Sequence, residues 1–492
     1  MSNLTGIIKN IQDIMRKDVG VDGDAQRISQ LVWMFFLKIF DDRETELEAV
    51  EDNYKSPLPE HVRWRNWASN AEGLTGDALL SFVNDILFPT LKTKLATHGA
   101  DGQRALVIRG LFEDAYNYMK SGTLMRQVIN KICEIDFNNT EDRHTFGSIY
   151  EKILSDLQSA GNAGEFYTPR SVTKFIVNRV APLLHEIVLD PACGTGGFLA
   201  CAIDYKRQFV KTAEDSKMLY DTIHGVEKKA LPHMLCTTNM ILHGMDTPIN
   251  IRHENTLSRP YTDYSDKDRV NVIITNPPFG GMEEDGIEHN FPATLRTRET
   301  ADLFMAVIIK RLKIGGRAAV VLPDGFLFGE GMKTRLKQQL LEECNLHTIV
   351  RLPNGVFNPY TGIKTNILFF TKGTPTQNVW YYEHPYPEGA KSYNKTNPMR
   401  FEEFEPENAW WGDESNGFKE RVEHTYAWKV PVEQIVSNNY NLDIRNPHKV
   451  EQTIQDPAEL LARYHAQQKE IVDLRSQLKD ILKKALTAEG QF

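Results

Sequence analysis

Six short apolar runs, separated by stretches with helical spacing, constrain the fold of this chain more than any other feature. They lie between about residue 146 and residue 372, at positions 187–189, 223–226, 272–274, 318–322, 348–350 and 366–370. Apolar runs of this length are typical of strands that are buried on both faces. The intervening helices then have to cover both faces of a mostly parallel sheet. The pattern therefore predicts an α/β fold that binds its ligands beyond the carboxyl ends of the strands.

The rest of the chain divides into zones by periodicity and composition. Residues 1–145 carry apolar side chains at helical spacing and no strand alternation, so we predict a helical N-terminal domain before a catalytic domain at 146–372. Residues 373–450, rich in Trp, Tyr, Pro and Glu, predict an irregular extension of that domain. A C-terminal helix is predicted within 451–492. Four apolar residues there repeat at a spacing that suits contact with another helix, of this chain or of a partner: Ile471, Leu474, Leu478 and Ile481.

Membrane and secreted classes are disfavoured by the sequence. The longest apolar run, residues 31–37, is far too short to cross a bilayer, and no secretory signal opens the chain. Five cysteines without a metal-ligand spacing predict reduced thiols in a cytoplasmic protein and no metal site.

A glycine-rich segment, Asp190-Pro-Ala-Cys-Gly-Thr-Gly-Gly-Phe198, directly follows the first apolar run. Its glycines allow a tight turn and a close approach of the backbone to a ligand. The dinucleotide fingerprint fails because Leu199 stands at its third glycine position, and the lysine of a P-loop is absent. Asp190 would repel a phosphate and suits a cationic or amino-bearing ligand such as S-adenosylmethionine. The alternative is an Asp-Pro turn whose glycines are needed only for packing.

Two further segments fit the same ligand. Glu227 ends the second run, where an acidic residue usually accepts hydrogen bonds from ribose hydroxyls, although a surface carboxylate is the alternative. Upstream of the sheet, Phe166 and Tyr167 are candidates to pack against an adenosine. Thr168 and Pro169 predict the N-cap and first residue of a helix. The alternative there is a capped helix behind two core aromatic side chains.

The segment Asn276-Pro-Pro-Phe279 ends another apolar run. Its prolines fix their φ angles and lack N–H donors, so they form a rigid lip instead of extending the strand. The Asn276 side-chain oxygen and the Pro277 carbonyl could accept both hydrogens of an adenine amino group and aim its lone pair at a methyl donor. Phe279 could stack on the extruded base. A strand-terminating Asn-Pro turn is the alternative.

Taken together, these motifs resemble those of the amino-group DNA methyltransferases of the gamma class, and in particular the modification subunit of type I restriction-modification systems. The resemblance extends through about residue 372. It is carried by Phe166-Tyr-Thr-Pro169, Asp190 to Phe198, Glu227, Asn255-Thr-Leu257 and Asn276-Pro-Pro-Phe279, and by Gly315-Gly-Arg-Ala-Ala-Val-Val-Leu-Pro-Asp324, Leu352-Pro-Asn-Gly-Val-Phe357 and Lys364-Thr-Asn-Ile-Leu-Phe-Phe370.

The resemblance implies a Rossmann-like methyltransferase core with a mostly parallel seven-stranded sheet, and methylation of adenine N6 in DNA. It implies target contacts at Asn276, Pro277, Pro278 and Phe279. It implies contacts to S-adenosylmethionine at Glu165, Phe166, Tyr167, Thr168, Pro169, Arg170, Asp190, Gly194, Thr195, Gly196, Gly197 and Glu227. Asn255 falls where many relatives carry the acid or amide that meets the cofactor's adenine ring.

The net charge of −9 bears on the partners, because Lys and Arg supply most non-specific affinity for DNA. Five basic residues could line a local groove: Arg296, Arg298, Lys333, Arg335 and Lys337. The resemblance implies a specificity subunit that holds DNA and meets the C-terminal helix, with two subunits of this kind per specificity subunit, and a restriction subunit. The alternatives are a self-sufficient adenine methyltransferase, a protein-glutamine or ribosomal-RNA methyltransferase, and a non-enzymatic scaffold.

Overall fold

The structure is a computed structural model, and it describes residues 2–98, 102–138, 150, 168–358, 361–394, 397–449 and 457–488. The chain forms two compact units, Met1–Ile444 and Arg445–Phe492.

The N-terminal part of the first unit is helical, as the apolar spacing predicts. Its aromatic side chains pack against one another. Trp33 packs edge-on against Phe88 with ring centroids 5.2 Å apart, and Phe112 packs at a tilt against the same ring with centroids 5.6 Å apart. Such contacts hold the helices together through a shared apolar core. The helices are α1 (Ser2–Met15), α2 (Asp24–Val50), α3 (Trp64–Trp67), α4 (Gly76–Ser81), the π-helical turns Phe82–Leu87 and Thr90–Lys94, α5 (Gly102–Phe112) and α6 (Gly122–Cys133).

A nine-stranded sheet forms the centre of the rest of the unit. Its spatial order is β3-β2-β1-β4-β5-β7-β6-β8-β9. Strand β7 runs antiparallel to β5 and β6, and β9 runs antiparallel to β8, while the other pairs are parallel. The strands are β1 (Val188–Asp190), β2 (Ile223–Glu227), β3 (Ile251–His253), β4 (Val270–Thr275), β5 (Leu312–Pro323), β6 (Cys344–Arg351), β7 (Thr365–Lys372), β8 (Asn378–Glu383) and β9 (Ala427–Pro431).

Helices cover both faces of this sheet. In β4, Val272 and Ile274 enter one apolar core and Ile273 enters the other, so successive side chains are buried on opposite faces. The predicted α/β architecture is confirmed. The helices are α7 (Arg170–Val180), α8 (Gly197–Arg207), α9 (Ala213–Asp221), α10 (Ala230–Leu242), α11 (Thr300–Arg311), α12 (Asp324–Phe328), α13 (Met332–Glu343), α14 (Glu405–Trp410) and α15 (Val432–Ser437).

The extension after β7 differs from its predicted form. The first seven strands of the order form the expected seven-stranded core, and β8 and β9 continue it beyond β6. The prediction that 373–450 is irregular is therefore wrong for these strands. Trp380, Tyr381 and Tyr382 are buried in β8, where aromatic side chains pack well on a pleated surface.

The second unit contains the predicted C-terminal helix, α16 (Pro457–Ala488). Three of its regularly spaced apolar residues, Ile471, Leu474 and Leu478, have exposed side chains. Among the helices in the described part of the chain, none combines the length and the apolar character that a bilayer crossing requires.

Candidate active site

Three of the predicted motifs meet at one edge of the sheet. Strand β1 is flanked by β2 and β4, with Asp190 opposite Gly225 and Leu189 opposite Ile273. Because these strands are parallel and neighbours lie about 4.8 Å apart, their carboxyl ends adjoin one another. The segments that follow Asp190, Glu227 and Thr275 are thereby brought together.

The glycine loop after β1 requires glycine at its turn. Gly194 and Gly196 have φ angles of +52° and +82°, in the left-handed region that side chains disfavour. A Cβ added at Gly196 would lie 2.8 Å from the Cys236 sulfur, which is buried in α10. The backbone therefore passes close to α10 and turns directly into α8, which begins at Gly197.

Glu227 binds the backbone of this loop. Its Oε2 atom accepts a hydrogen bond of 2.9 Å from the Gly194 N–H, and its Oε1 atom accepts one of 2.8 Å from the Lys229 N–H. A carboxylate oxygen has a second lone pair, so these bonds leave Glu227 chemically able to accept from ligand hydroxyls as well. The side chain consequently joins the end of β2 to the glycine loop.

Asp190 is buried beneath the same loop, with 1% of its surface exposed. Its Oδ1 atom accepts hydrogen bonds from the Ala192 N–H at 3.1 Å and from the Thr275 hydroxyl at 2.7 Å. Burial raises the pKa of Asp190 to about 7, with a smaller contribution from the Glu227 charge, while the bond from Thr275 opposes the rise. An ionised Asp190 would therefore be stabilised by a neighbouring positive charge.

Asn276 follows β4 with its side chain fixed at one end. Its Nδ2 atom donates a 2.9 Å hydrogen bond to the Thr168 hydroxyl. Its Oδ1 atom is buried and has no hydrogen-bond partner among the residues that the structure describes. Such an acceptor is uncommon, because an unsatisfied buried oxygen costs about 1–3 kcal/mol. The arrangement leaves one oriented acceptor at the edge of the sheet.

The start of α7 differs from its predicted form. The helix begins at Arg170 with Pro169 as its N-cap, and the Pro169 carbonyl accepts from the Val172 and Thr173 N–H groups at 2.9 and 3.0 Å. Thr168 is therefore not the cap, and its hydroxyl serves Asn276 instead. Glu165, Phe166 and Tyr167 lie outside the described residues.

The prolines and Phe279 form the remainder of the lip. Pro277 is buried and Pro278 is exposed. Phe279 is only 7% exposed, and its ring packs edge-on against Phe357 with centroids 6.4 Å apart. A base can stack on Phe279 only when a face of this ring becomes accessible.

Asn255, Thr195 and Arg170 have their own structural bonds. Asn255 caps a short turn, because its Oδ1 accepts from the Leu257 N–H at 2.9 Å. The Thr195 carbonyl accepts from the Asn239 side chain at 3.2 Å. Arg170 donates to the Gly197 carbonyl at 3.3 Å and to Asp204 at 2.9 Å.

Sequence reasoning missed two polar residues of this edge. Thr275 donates to Asp190, and the Thr256 hydroxyl donates to the Pro191 carbonyl at 2.6 Å. Thr275 could have been found, because it is the polar last residue of an apolar strand and directly precedes Asn276. Thr256 lies in the Asn255-Thr-Leu257 motif, but nothing in that motif indicated its bond to the Pro191 carbonyl.

The predicted basic groove is wrong for most of its residues. Lys337 is fully buried and donates to the carbonyls of Leu327 and Gly329, both at 2.8 Å. Lys333 pairs with Asp302 at 2.8 Å and with Glu299, and Arg298 pairs with Asp285. Only Arg296 and Arg335 of the predicted five are exposed side chains without an ion pair in the described structure.

Comparisons with known proteins identify the family of this chain. A family model described as N-6 DNA Methylase matches residues 141–456, and one described as the HsdM N-terminal domain matches residues 4–132. The methylase subunit of the type I restriction enzyme EcoEI from Escherichia coli is 63% identical over 485 residues, or 98% of each chain. The EcoKI methylase subunit from Escherichia coli strain K12 is 28% identical over 84% of this chain and 77% of its own.

Two solved structures have the same fold over nearly the whole chain. A modification subunit from Vibrio vulnificus YJ016, assigned to a type I restriction enzyme, has a TM-score of 0.80 at 42% identity, covering 91% of this chain and 97% of its own. A chain from a study of complex assembly and conformational transition in a type I restriction-modification system has a TM-score of 0.80 at 36% identity, covering 98% and 99%. This chain therefore belongs to the family of type I restriction-modification methylase subunits.

Proposed function

We propose that this methylase subunit transfers a methyl group from S-adenosylmethionine to the N6 atom of an adenine that has been extruded from DNA. The observation that carries the proposal is the buried Oδ1 atom of Asn276 at the carboxyl edge of the sheet, which has no hydrogen-bond partner among the described residues. Asn276 directly follows β4, and β4 pairs with β1, the strand that leads into the glycine loop. An oriented acceptor next to a cofactor loop is what methylation of an amino group needs.

The residues beyond β1 and β2 fit S-adenosylmethionine. The glycine loop brings backbone close to a ligand, and Glu227 supplies carboxylate oxygens for ribose hydroxyls. Asp190 is a buried carboxyl, and the positive charge of a bound cation would stabilise its ionised form. Asp190 and Glu227 would hold the cofactor together with a larger set of residues. These are Gly194, Thr195, Gly196 and Gly197 in the loop, and residues 165–170 and Asn255 at the flanks. When bound, S-adenosylmethionine supplies a methyl group on a positively charged sulfur.

The lip then acts on the adenine amino group. Asn276 Oδ1 and the Pro277 carbonyl each accept one amino hydrogen, which draws the nitrogen lone pair out of conjugation with the ring. Thr168 fixes the Asn276 amide by accepting from Nδ2, so that Oδ1 faces the target. No side chain of the chain has to form a covalent bond. Positioning of this kind can supply roughly 7–11 kcal/mol of the barrier reduction.

Extrusion of the base costs a few kcal/mol, and aromatic stacking worth about 1–3 kcal/mol can offset part of this cost. Phe279 is the aromatic group of the lip and would supply it once its ring is accessible. Stacking on Phe279 also suits a planar nucleobase better than a protein glutamine side chain.

We further propose that another subunit selects the DNA sequence. The chain is acidic, and three of the five predicted groove residues are committed to internal bonds. The exposed residues Ile471, Leu474 and Leu478 of α16 form the surface that would meet a helix of a specificity subunit. Two such chains per specificity subunit, a restriction subunit and a cytoplasmic location complete the proposal.

Transfer of labelled methyl groups to DNA, ribosomal RNA and protein tests this function, with the chain alone and with its co-purified specificity subunit. We expect transfer to adenine N6 in DNA by the complex and little or none by the isolated chain. Asn276→Ala should abolish transfer while cofactor binding is retained, whereas Asn276→Asp, which keeps an acceptor oxygen, should retain part of the activity. Labelling of protein or RNA instead, or an active Asn276→Ala variant, would refute the proposal.

A further inference from the structure

Helix α10 (Ala230–Leu242) is enclosed by two different cores. Met234, Leu235, Ile241 and Leu242 belong to the apolar core of the N-terminal helical region. Met234 and Ile241 are seven residues apart, as are Leu235 and Leu242, so the four side chains lie on one face of the helix. Cys236 and Met240 belong instead to a core on one face of the sheet. One helix therefore packs against both the N-terminal region and the catalytic region.

The sheet-facing side of α10 contacts the glycine loop directly. Asn239 is 1% exposed, and its Nδ2 atom donates a 3.2 Å hydrogen bond to the Thr195 carbonyl, in the middle of the loop. The Cys236 sulfur lies 3.7 Å from the Cys193 sulfur and occupies the space beside Gly196 that a Cβ would need. The position of α10 consequently limits where the loop backbone can lie.

Polar bonds attach the segment after α10 to the N-terminal helices. Asp246 Oδ1 accepts from Arg43 of α2 at 2.5 Å, and the Thr247 hydroxyl accepts from Arg104 of α5 at 3.1 Å. Within α10, the Leu235 carbonyl accepts from the Tyr150 hydroxyl at 3.4 Å. A shift of α2 or α5 would therefore act on α10 through both apolar and polar contacts.

We propose that Asn239 is a positioning residue for the glycine loop, and that α10 makes cofactor affinity depend on how the N-terminal helical region packs against it. The inference rests on the proposed function, in that the loop binds S-adenosylmethionine. Asn239 itself does not have to touch the cofactor. It fixes the Thr195 carbonyl, and the loop N–H groups then point at the ligand without a further ordering cost.

Binding of S-adenosylmethionine to the purified chain, measured by calorimetry, tests the role of Asn239. We expect Asn239→Ala and the isosteric Asn239→Asp, which loses the donor, to raise the Kd about two- to tenfold, the range given by loss of one hydrogen bond. The kcat of the complex at saturating cofactor should stay within about twofold. Thr238→Val is the matched control, since its buried hydroxyl donates to the Met234 carbonyl of the same helix.

Two results would overturn this role. Equal Kd values for wild type and both Asn239 variants, with only the melting temperature lowered, would reduce Asn239 to a packing residue. Failure of the wild-type chain to bind S-adenosylmethionine would refute the proposed function and this inference together. The wild-type titration alone shows this, so it is not confused with a failure of the Asn239 role.

A second pair of variants tests the coupling through α10. Leu235→Ala opens a cavity where α10 packs into the N-terminal core, and Ile129→Ala opens one elsewhere in the same core. Both should lower the melting temperature, because each deletes a buried aliphatic side chain. Only Leu235→Ala should weaken cofactor binding, by about threefold or more, if α10 transmits the change. Equal cofactor affinity of the two folded variants would refute the coupling.

Discussion

Raising the pH from 6 to 8 should tighten the binding of S-adenosylmethionine about tenfold, through the ionisation of Asp190. Burial raises the pKa of this carboxyl to about 7 in the free protein. At pH 6 only about one molecule in eleven carries the ionised carboxylate, and at pH 8 about ten in eleven do. If a positively charged ligand binds the ionised form, the apparent affinity follows this fraction and levels off above pH 8.

Linkage gives the free protein the opposite pH dependence in stability. Between the usual pKa of 3.8 and about 7, the folded protein keeps the Asp190 proton that the unfolded chain has lost. Its stability therefore falls as pH rises through this window, by up to about 1.4 kcal/mol per pH unit. Cofactor binding offsets this loss, so the increase in melting temperature that saturating cofactor produces should grow from pH 6 to pH 8.

Calorimetric titrations at several pH values, in buffers of different ionisation enthalpy, measure both the affinity and the protons released. Near pH 7 about half a proton should leave on binding. Asp190→Asn should remove this part of the pH dependence. Thr275→Val should move the midpoint to higher pH, because it deletes the hydrogen bond that lowers the pKa of Asp190. A pH-independent affinity, or an unchanged midpoint in Thr275→Val, would refute the reasoning.

Three further predictions concern Asn276, Glu227 and the exposed face of α16. Thr168→Val removes the acceptor that orients Asn276, and should lower the kcat of the complex at saturating cofactor about three- to tenfold; an unchanged kcat would contradict the geometry. Glu227→Gln should raise the cofactor Kd about tenfold or more, measured by calorimetry, because a charged acceptor is lost; equal binding would exclude Glu227 from the site. Replacing Leu474 and Leu478 together by Asp should abolish co-purification with the specificity subunit and leave cofactor binding intact; retained co-purification would place the partner contact elsewhere.

The arrangement of the strand ends was predictable because it depends on local sequence. Continuous apolar runs indicated the buried strands, and the positions of Asp190, Glu227 and Asn276 directly after such runs indicated that they share an edge. The short strand β3 was missed, since Ile251–His253 contains a single buried apolar residue. Pairing with β2 through the backbone makes it a strand, and backbone pairing has no signature in so short a sequence.

Contacts between distant segments could not be predicted in the same way. The bond between Thr168 and Asn276 joins residues 108 positions apart, and a helix-start pattern at Thr168 and Pro169 favoured a capping role for the threonine. Pro169 takes the cap position, since its own carbonyl accepts the first bonds of α7. The threonine hydroxyl is then available to accept from Asn276, a choice that only the tertiary fold determines.

The internal bonds of Lys333, Arg298 and Lys337 favour a partner that holds the DNA. Lys333 and Arg298 neutralise carboxylates of their own chain, and Lys337 binds backbone carbonyls in the interior. Cations committed in this way would have to break existing bonds before they could neutralise phosphates. Because each phosphate contact adds about one unit to the salt dependence of DNA affinity, the isolated chain should show a shallow salt dependence. The salt dependence of the complex should then be steep, and charge-removing substitutions in the specificity subunit should reduce it more than substitutions at Lys333 or Lys337.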